Sequence, residues 1–110
     1  MTTKHSLVLT TCPDIDAART LARELVKLRL AACGQIMPIE STYIWQDKLH
    51  EETEYLLMLK TRTALFDQLQ AAIERQHSYE VPQITHIPIT DGLPAYLNWI
   101  DRQTSEGVCP

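Results

Sequence analysis

The sequence has little glycine, little cysteine and no motif of a common catalytic site. It contains three glycines in 110 residues, so a glycine-rich loop that cradles phosphate has little material. Neither H-E-x-x-H nor G-x-S-x-G occurs. These absences favour a binding protein over an enzyme.

The sequence has three cysteines, which lie far apart at Cys12, Cys33 and Cys109. An odd number without a C-x-x-C pair does not suit a disulfide framework or a structural zinc site. No apolar segment of the secretory kind follows Met1. We therefore expect reduced thiols and a cytoplasmic protein.

Basic residues are also in the minority, with 10 Lys and Arg against 14 Asp and Glu, for a net charge of −4. Nucleic-acid binding needs clustered positive charge, so we expect no nucleic-acid partner. No run approaches the roughly 20 apolar residues of a membrane span, so no membrane partner is expected either. The length fits one domain over residues 1–110, with a core over about 5–103 and a loose tail over 104–110.

The first half of the chain predicts a strand, a helix and a hairpin. Residues 5–11 are β-branched and apolar, and Asp14 is a suitable N-cap for a helix from Ile15 to about Ala32, which Gly34 would end. Two strands then follow over 35–46 and 54–61, and the polar stretch between them predicts a turn over 46–53.

The second half predicts a helix, a strand and a short final helix. Thr63 is a candidate N-cap for a helix that runs out near Gln76-His77. Residues 83–89 form the next strand, and Pro88 places it at an edge or a bulge. Residues 94–103 form the last helix.

The element order β-α-β-β-α-β predicts an α+β fold of the ferredoxin-like kind, an antiparallel sheet with two helices on one face, plus the short C-terminal helix. The hairpin strands carry apolar residues on both faces, so the last helix or another subunit must cover the second face. The aromatic residues Tyr43, Trp45 and Tyr55 favour a subunit interface, where such side chains are enriched.

Five short motifs resemble those of one known family. They are LAACGQI, STYIW followed by DK, LKT, HSYEVPQI and YLNW, in order between about residues 7 and 101. The chain is identified by them as similar to CutA, the divalent-cation-tolerance family. The resemblance implies a ferredoxin-like fold, a homotrimer formed through long hairpins, a link to copper and other divalent cations, and a likeness to trimeric PII signalling proteins.

The sequence departs from the family pattern at the residues that hold copper in some bacterial relatives. Their cysteine late in the first strand aligns with Thr10, and their histidine pair aligns with Gln76 and His77. Asp47 replaces a glycine that usually follows the tryptophan loop, and Gln83 replaces a glutamate. Of the three copper ligands that the resemblance implies, this chain therefore retains one, His77, at the matching position.

Two candidate sites follow. His77, Glu80 and Cys12 are candidate copper ligands, with further ligands from a neighbouring subunit, because imidazole suits copper(II) and thiolate suits copper(I). The simpler alternatives are that His77 only ends a helix and that Cys12 is a small core residue. Lys60, Tyr79 and Trp45 are candidates for an intersubunit ligand cleft. The simpler alternative for Lys60 is a lysine at a strand end that extends to solvent.

Two functions are therefore open. In the first, a cytoplasmic homotrimer binds copper or other divalent cations weakly and serves in metal-ion tolerance. In the second, a PII-like module holds a small anion or metabolite in its intersubunit clefts. A third reading, an acylphosphatase-like enzyme, is disfavoured because no arginine-bearing glycine loop follows the first strand.

Overall fold

Four strands and three helices form the described part of the chain, residues 3–104, in a computed structural model. Within these residues, none of the helices is long and apolar enough to cross a membrane. The elements in chain order are β1 (His5–Cys12), α1 (Ile15–Lys27), β2 (Cys33–Trp45), β3 (Lys48–Arg62), α2 (Phe66–Gln76, after a 3-10 turn over Thr63–Leu65), β4 (Thr85–Ile89) and α3 (Pro94–Gln103).

The strands make one antiparallel sheet in the order β2-β3-β1-β4. The central strand β1 pairs with β3 along its whole length, from His5 opposite Arg62 to Cys12 opposite Tyr55. The strand β4 lies at an edge, as Pro88 predicts, because proline cannot donate to a second neighbour. The predicted ferredoxin-like α+β arrangement is confirmed.

The core lies between the sheet and the helices α1 and α2. Successive strand residues point to opposite faces, so Leu57 and Leu59 of β3 face the helices together. They pack with Leu25 of α1 and with Leu69 and Ile73 of α2, all fully buried. Each such side chain contributes roughly 1.5–3 kcal/mol when removed from water.

The helix α1 ends at Lys27, several residues before the predicted end, and Gly34 does not cap it. Arg29 has φ 61° and takes the left-handed position instead. The amide of Leu30 donates to the carbonyl of Leu25 at 3.1 Å, which closes a Schellman motif. The prediction was wrong because the buried Ala31 and Ala32, which continue the apolar spacing, lie in extended chain that enters β2.

The hairpin turn contains two residues, Gln46 and Asp47, rather than the predicted polar turn over 46–53. Their φ values of 53° and 62° suit a type I′ turn, in which asparagine, aspartate and glycine are favoured. Trp45 pairs with Lys48, and the polar residues that follow continue β3. This mostly polar stretch is exposed except at His50, and it forms a strand through its pairing with β2.

Two further boundaries differ from prediction, while the predicted Asp14 cap is confirmed. Asp14 Oδ1 accepts from the Ala17 amide at 2.8 Å. Thr63 does not cap α2, because it lies in the preceding 3-10 turn and its hydroxyl bonds that of Ser6 at 2.7 Å. The strand β4 begins at Thr85 rather than at residue 83.

The helix α3 lies against the sheet face that points away from α1 and α2. The Lys60 ammonium lies 5.3 Å from the centre of the Tyr96 ring. Thr104 is fully buried and its hydroxyl accepts from Arg62 Nε at 2.9 Å, so the predicted loose tail is wrong at this residue. The rest of that predicted tail, residues 105–110, lies outside the described residues.

Gly34 gives a first prediction, because α1 approaches β2 closely at this residue. A Cβ there would lie 3.1 Å from the Ala22 Cβ and 3.3 Å from methyl carbons of Leu57 and Leu59. Both leucines are fully buried and have no room to move. Gly34→Ala is expected to lower the free energy of unfolding by about 1–3 kcal/mol.

The measurement is thermal and urea unfolding of Gly34→Ala beside Gly92→Ala. Gly92 is the matched control because a Cβ there would meet only the side chain of Leu97, which can move. An unfolding midpoint for Gly34→Ala equal to that of the wild type would show that α1 does not pack this closely on the sheet.

Candidate functional site

His77 is positioned at the junction between α2 and the extended segment that leads to β4. It is the C-cap residue of α2, and its amide donates to the carbonyl of Ile73. The ring Nε2 lies 2.7 Å from the Thr11 carbonyl oxygen, and Nδ1 accepts from the Tyr79 amide at 3.1 Å. This geometry suits the tautomer with hydrogen on Nε2, and both ring nitrogens are engaged.

Cys12 ends β1 on the side of the helices, with 2 % of its surface exposed. Burial raises the pKa of its thiol from 9.0 to about 11, and the charges of Asp14 and Glu54 add to the effect. The sulfur is therefore protonated at neutral pH in the unliganded protein. A thiol in this state is a poor metal ligand until the proton leaves.

The predicted copper ligands lie in two different places. Cys12 and His77 line a cavity of about 280 Å³, together with Asp16 near the start of α1. Glu80 lines a second, larger cavity. Among residues 3–104, no three His, Cys, Asp or Glu side chains are close enough to hold a metal ion. One chain therefore does not bring His77, Glu80 and Cys12 together, and their joint role stays a prediction.

The larger cavity, of about 500 Å³, lies between the hairpin and the segment 79–83. We call it the hairpin cavity. Tyr43 and Trp45 of β2 and Tyr79 of the segment supply aromatic surface. Pairing of β2 with β3 positions Tyr43 and Trp45. Tyr79 lies at the corner after α2, where the chain turns between His77 and Pro82 toward β4.

Glu54 contributes a buried carboxylate to the hairpin cavity. Its residue is 6 % exposed, and Oε2 accepts from the Tyr79 hydroxyl at 2.6 Å. Burial and this hydrogen bond raise the pKa of Tyr79. Glu54 is not among the site residues predicted from the sequence. The available signal was its place as the first residue of the apolar run EYLLMLKT, where a carboxylate needs a reason to be buried.

A second tyrosine–carboxylate pair lies nearby on the hairpin. The Tyr43 hydroxyl donates to Glu52 Oε2 at 2.8 Å, and this hydrogen bond is the main cause of a raised pKa of Tyr43. The ring of Tyr43 stacks on that of His50 at a centroid distance of 5.3 Å. These contacts orient Tyr43 beside Trp45 at the mouth of the hairpin cavity.

Within one chain, Lys60 does not line this cavity with Tyr79 and Trp45, and the intersubunit cleft predicted for the three residues stays a prediction. Its ammonium donates to Gln35 Oε1 at 2.9 Å and lies over Tyr96. The reason is distance along β3, since Lys60 lies six residues beyond Glu54, or roughly 20 Å at the rise of an extended strand.

The three aromatic residues predicted for an interface differ in exposure. Tyr43 is 38 % and Trp45 40 % exposed. Tyr55 packs against the core of its own chain. The role of all three in a subunit interface stays a prediction.

Comparison with known proteins gives a consistent result. The family model described as "CutA1 divalent ion tolerance protein" matches residues 6–103. A divalent-cation tolerance protein CutA from Thermus thermophilus is 42 % identical over 101 residues, which cover 91 % of this chain and 98 % of the relative.

Solved structures agree with the sequence match. The crystal structure of CutA1 from Oryza sativa superposes with a TM-score of 0.91 at 38 % identity, over 96 % of this chain and 97 % of that one. A structure described as the periplasmic divalent cation tolerance protein CutA from Archaeoglobus fulgidus gives a TM-score of 0.90 at 36 % identity, over 92 % and 99 %.

The match therefore includes the fold, nearly the whole length, and the corner and hairpin that form both cavities. On this evidence the chain belongs to the CutA1 family of divalent ion tolerance proteins.

Proposed function

We propose that the protein serves in tolerance of divalent metal ions as a cytoplasmic homotrimer that binds copper or similar cations weakly, and that it is not an enzyme. The observation that carries the metal-binding part is the placement of Cys12 and His77 around one cavity at the end of β1. A soft sulfur and an imidazole nitrogen in one place suit copper in either oxidation state. Family membership supports the general role in cation tolerance.

Weak binding follows from what a metal ion would displace at this site. His77 would have to give up a hydrogen bond to Thr11 or to the Tyr79 amide, and Cys12 would have to lose its proton. Each of these changes reduces the net free energy of metal binding, whereas a preformed site requires neither change. A second subunit is the natural source of the missing third donor, which links the metal proposal to the trimer.

The exposed end of the hairpin supports the trimer. Ile44 and Leu49 form a cross-strand pair that is 72 % and 67 % exposed, and Trp45, 40 % exposed, projects from the other face of the hairpin. Exposed apolar and aromatic side chains concentrated at one end of a hairpin favour an interaction site. We assign this surface to a second copy of the chain, in agreement with the apolar faces of the hairpin strands.

The proposed location rests on the thiols. Cys12 and Cys33 are both unpaired with other cysteines in the described part of the chain, as expected under reducing conditions. The relative from Archaeoglobus fulgidus is described as periplasmic, so cell fractionation with an antibody against the protein tests the location directly.

A second candidate function, a PII-like binding module, is favoured by the hairpin cavity. Its volume of about 500 Å³ lies within the range of small-molecule pockets, and Tyr79 and Trp45 line it. Lys60, the residue expected to hold an anion, lies elsewhere. Within one chain the cavity therefore offers space for a small molecule, and its described lining contains no Lys or Arg.

The trimer gives a second prediction. Trp45→Ala is expected to weaken the assembly by roughly 2–4 kcal/mol per subunit contact, because a large half-exposed aromatic residue is typical of an interface anchor. Analytical ultracentrifugation over a dilution series measures this. Leu93→Ala is the control, since Leu93 is 70 % exposed but lies next to α3, away from the hairpin. A stable wild-type monomer of 12.6 kDa at micromolar concentration would contradict the proposal.

The metal site gives a third prediction. His77→Ala is expected to weaken Cu²⁺ binding at least about tenfold, since it removes the imidazole donor. Binding by the wild type should also weaken on acidification, because imidazole binds a metal only when that nitrogen is deprotonated. Isothermal titration of wild type and His77→Ala measures both, with His50→Gln on the hairpin as the control. Equal Cu²⁺ affinity in wild type and His77→Ala would place the site elsewhere.

The raised pKa of Cys12 gives a fourth prediction. A thiol whose pKa is higher in the folded than in the unfolded protein stabilises the fold at pH values below the unfolded pKa of 9.0. This stabilisation is lost as the pH rises through the folded pKa of about 11. At about pH 8, iodoacetamide should therefore label Cys12 roughly 100-fold more slowly in the folded than in the urea-unfolded protein, since thiolate is the reactive form.

Mass spectrometry of the Cys12 peptide follows the labelling. Cys33 is the internal control, because it is partly exposed and should show a smaller difference between the two states. Equal rates for Cys12 in the folded and unfolded protein would show that its sulfur is accessible and ionises normally.

A further inference from the structure

We propose that Asp91 is a site of spontaneous covalent modification, at which the peptide bond to Gly92 moves from the α-carboxyl to the side-chain carboxyl group and gives isoaspartate. The loop between β4 and α3 carries this site, which is separate from both candidate ligand cavities. The reaction needs no ligand, cofactor or second protein, because both reacting groups belong to adjacent residues of this chain.

The loop lies at the end of the sheet opposite the exposed end of the hairpin. The strand β4 ends at Ile89, which pairs with His5 at the start of β1. The hairpin projects beyond the other end of β1, at Cys12. The eight residues of β1 alone separate these two ends by roughly 20–25 Å at the rise of an extended strand. The hairpin end that we assign to a second copy is therefore distant from the loop.

The first observation is the closeness of the two reacting groups. The backbone amide of Gly92 donates to Asp91 Oδ1 at 2.8 Å. The carboxyl carbon is one covalent bond from that oxygen, so a rotation about the Asp91 side-chain bonds brings this carbon against the same nitrogen. Groups held this close react as if at high local concentration, which reduces the entropic cost of ring closure.

The second observation is that the surroundings leave the loop free to rearrange. Asp91 and Gly92 are both exposed and belong to neither β4 nor α3. Among the described residues, Asp91 takes part in no ion pair that would hold its carboxylate elsewhere. Gly92 has no Cβ to obstruct the approach of the carboxyl group, and a glycine backbone adopts a wider range of angles than any other residue.

The reaction balances with water as its only external reagent. The Gly92 nitrogen forms a bond to the Asp91 carboxyl carbon and loses its proton, while one carboxyl oxygen takes up protons and leaves as water. Water then opens the resulting succinimide at one of its two carbonyl carbons. Attack at the α-carbonyl breaks its bond to the Gly92 nitrogen and gives isoaspartate with a free α-carboxylate, whereas attack at the side-chain carbonyl restores aspartate.

Asp91 is the only aspartate of the sequence that a glycine follows. The other five precede residues with side chains and are Asp14, Asp16, Asp47, Asp67 and Asp101. Asp101 is the most informative comparison, because it lies within α3 and its Oδ1 is held by His5 Nε2 at 2.9 Å. The modification should therefore be specific to the loop before α3.

The test follows the full-length protein over several weeks at neutral pH and physiological temperature. Trypsin releases residues 76–102 as one peptide, which contains both Asp91 and Asp101. Electron-transfer fragmentation distinguishes isoaspartate from aspartate at each position, and a protein isoaspartate methyltransferase labels only the isomerised chain. Isoaspartate should accumulate at least about tenfold faster at Asp91 than at Asp101. Its rate at Asp91 should be no lower in the folded than in the urea-unfolded protein, because the folded loop already brings the groups together.

Two variants assign the mechanism. Gly92→Ala adds a Cβ and restricts the backbone, so the rate at Asp91 should fall at least about fivefold. Asp91→Glu keeps the charge but would have to close a six-membered ring, so no isomerisation should be detected at this position. It provides a test even if Gly92→Ala disturbs Leu97, which its Cβ would contact. Asp67→Glu on α2 is the control and should leave the rate at Asp91 unchanged.

Three outcomes would contradict these expectations. Equal rates at Asp91 and Asp101, or a clearly lower rate at Asp91 in the folded than in the unfolded protein, would show that the loop holds the reacting groups apart and would overturn the site. An unchanged rate in Gly92→Ala would overturn the role assigned to Gly92.

Discussion

The antiparallel pairing of β2 with β3 is the constraint on which most of this structure depends. It runs without a break from Cys33 opposite Lys60 to Trp45 opposite Lys48, and β1 pairs only as far as Tyr55. The part shared with β1 carries the helices and the core. The part beyond it has no helix layer, so its aromatic side chains stay exposed or line a cavity. One long ribbon thus forms part of the domain's core and one wall of the larger cavity.

The two cavities lie on either side of the corner after α2 and differ in chemistry. The smaller one brings together a protonated thiol and an imidazole that is already hydrogen-bonded on both nitrogens. The larger one combines aromatic rings with the buried carboxylate of Glu54. Copper is the proposed ligand of the first cavity, and a small molecule is the proposed ligand of the second.

Assembly, if it uses the hairpin as proposed, would affect both candidate sites. The smaller cavity lacks a third donor within one chain, and the larger one opens beside the exposed hairpin residues Tyr43 and Trp45. A second copy seated on the hairpin would change the solvent exposure and the charge around each site. Under the proposed trimer, ligand binding and oligomeric state would be coupled, since a ligand that prefers the assembled form stabilises it.

The sequence by itself determined the local structure: the Asp14 cap, the apolar stripes of α1 and α2, the edge position of β4 and the corner at His77 and Pro82. Each of these features depends on residues within a few positions of one another, so the spacing of residues along the sequence is enough to predict it. Only the tertiary structure decided that Glu54 is buried against Tyr79, that Glu80 lies apart from Cys12, and that Lys60 pairs with Gln35. These neighbours come from different strands and loops, and strand register and chain direction, rather than spacing in the sequence, set which side chains meet.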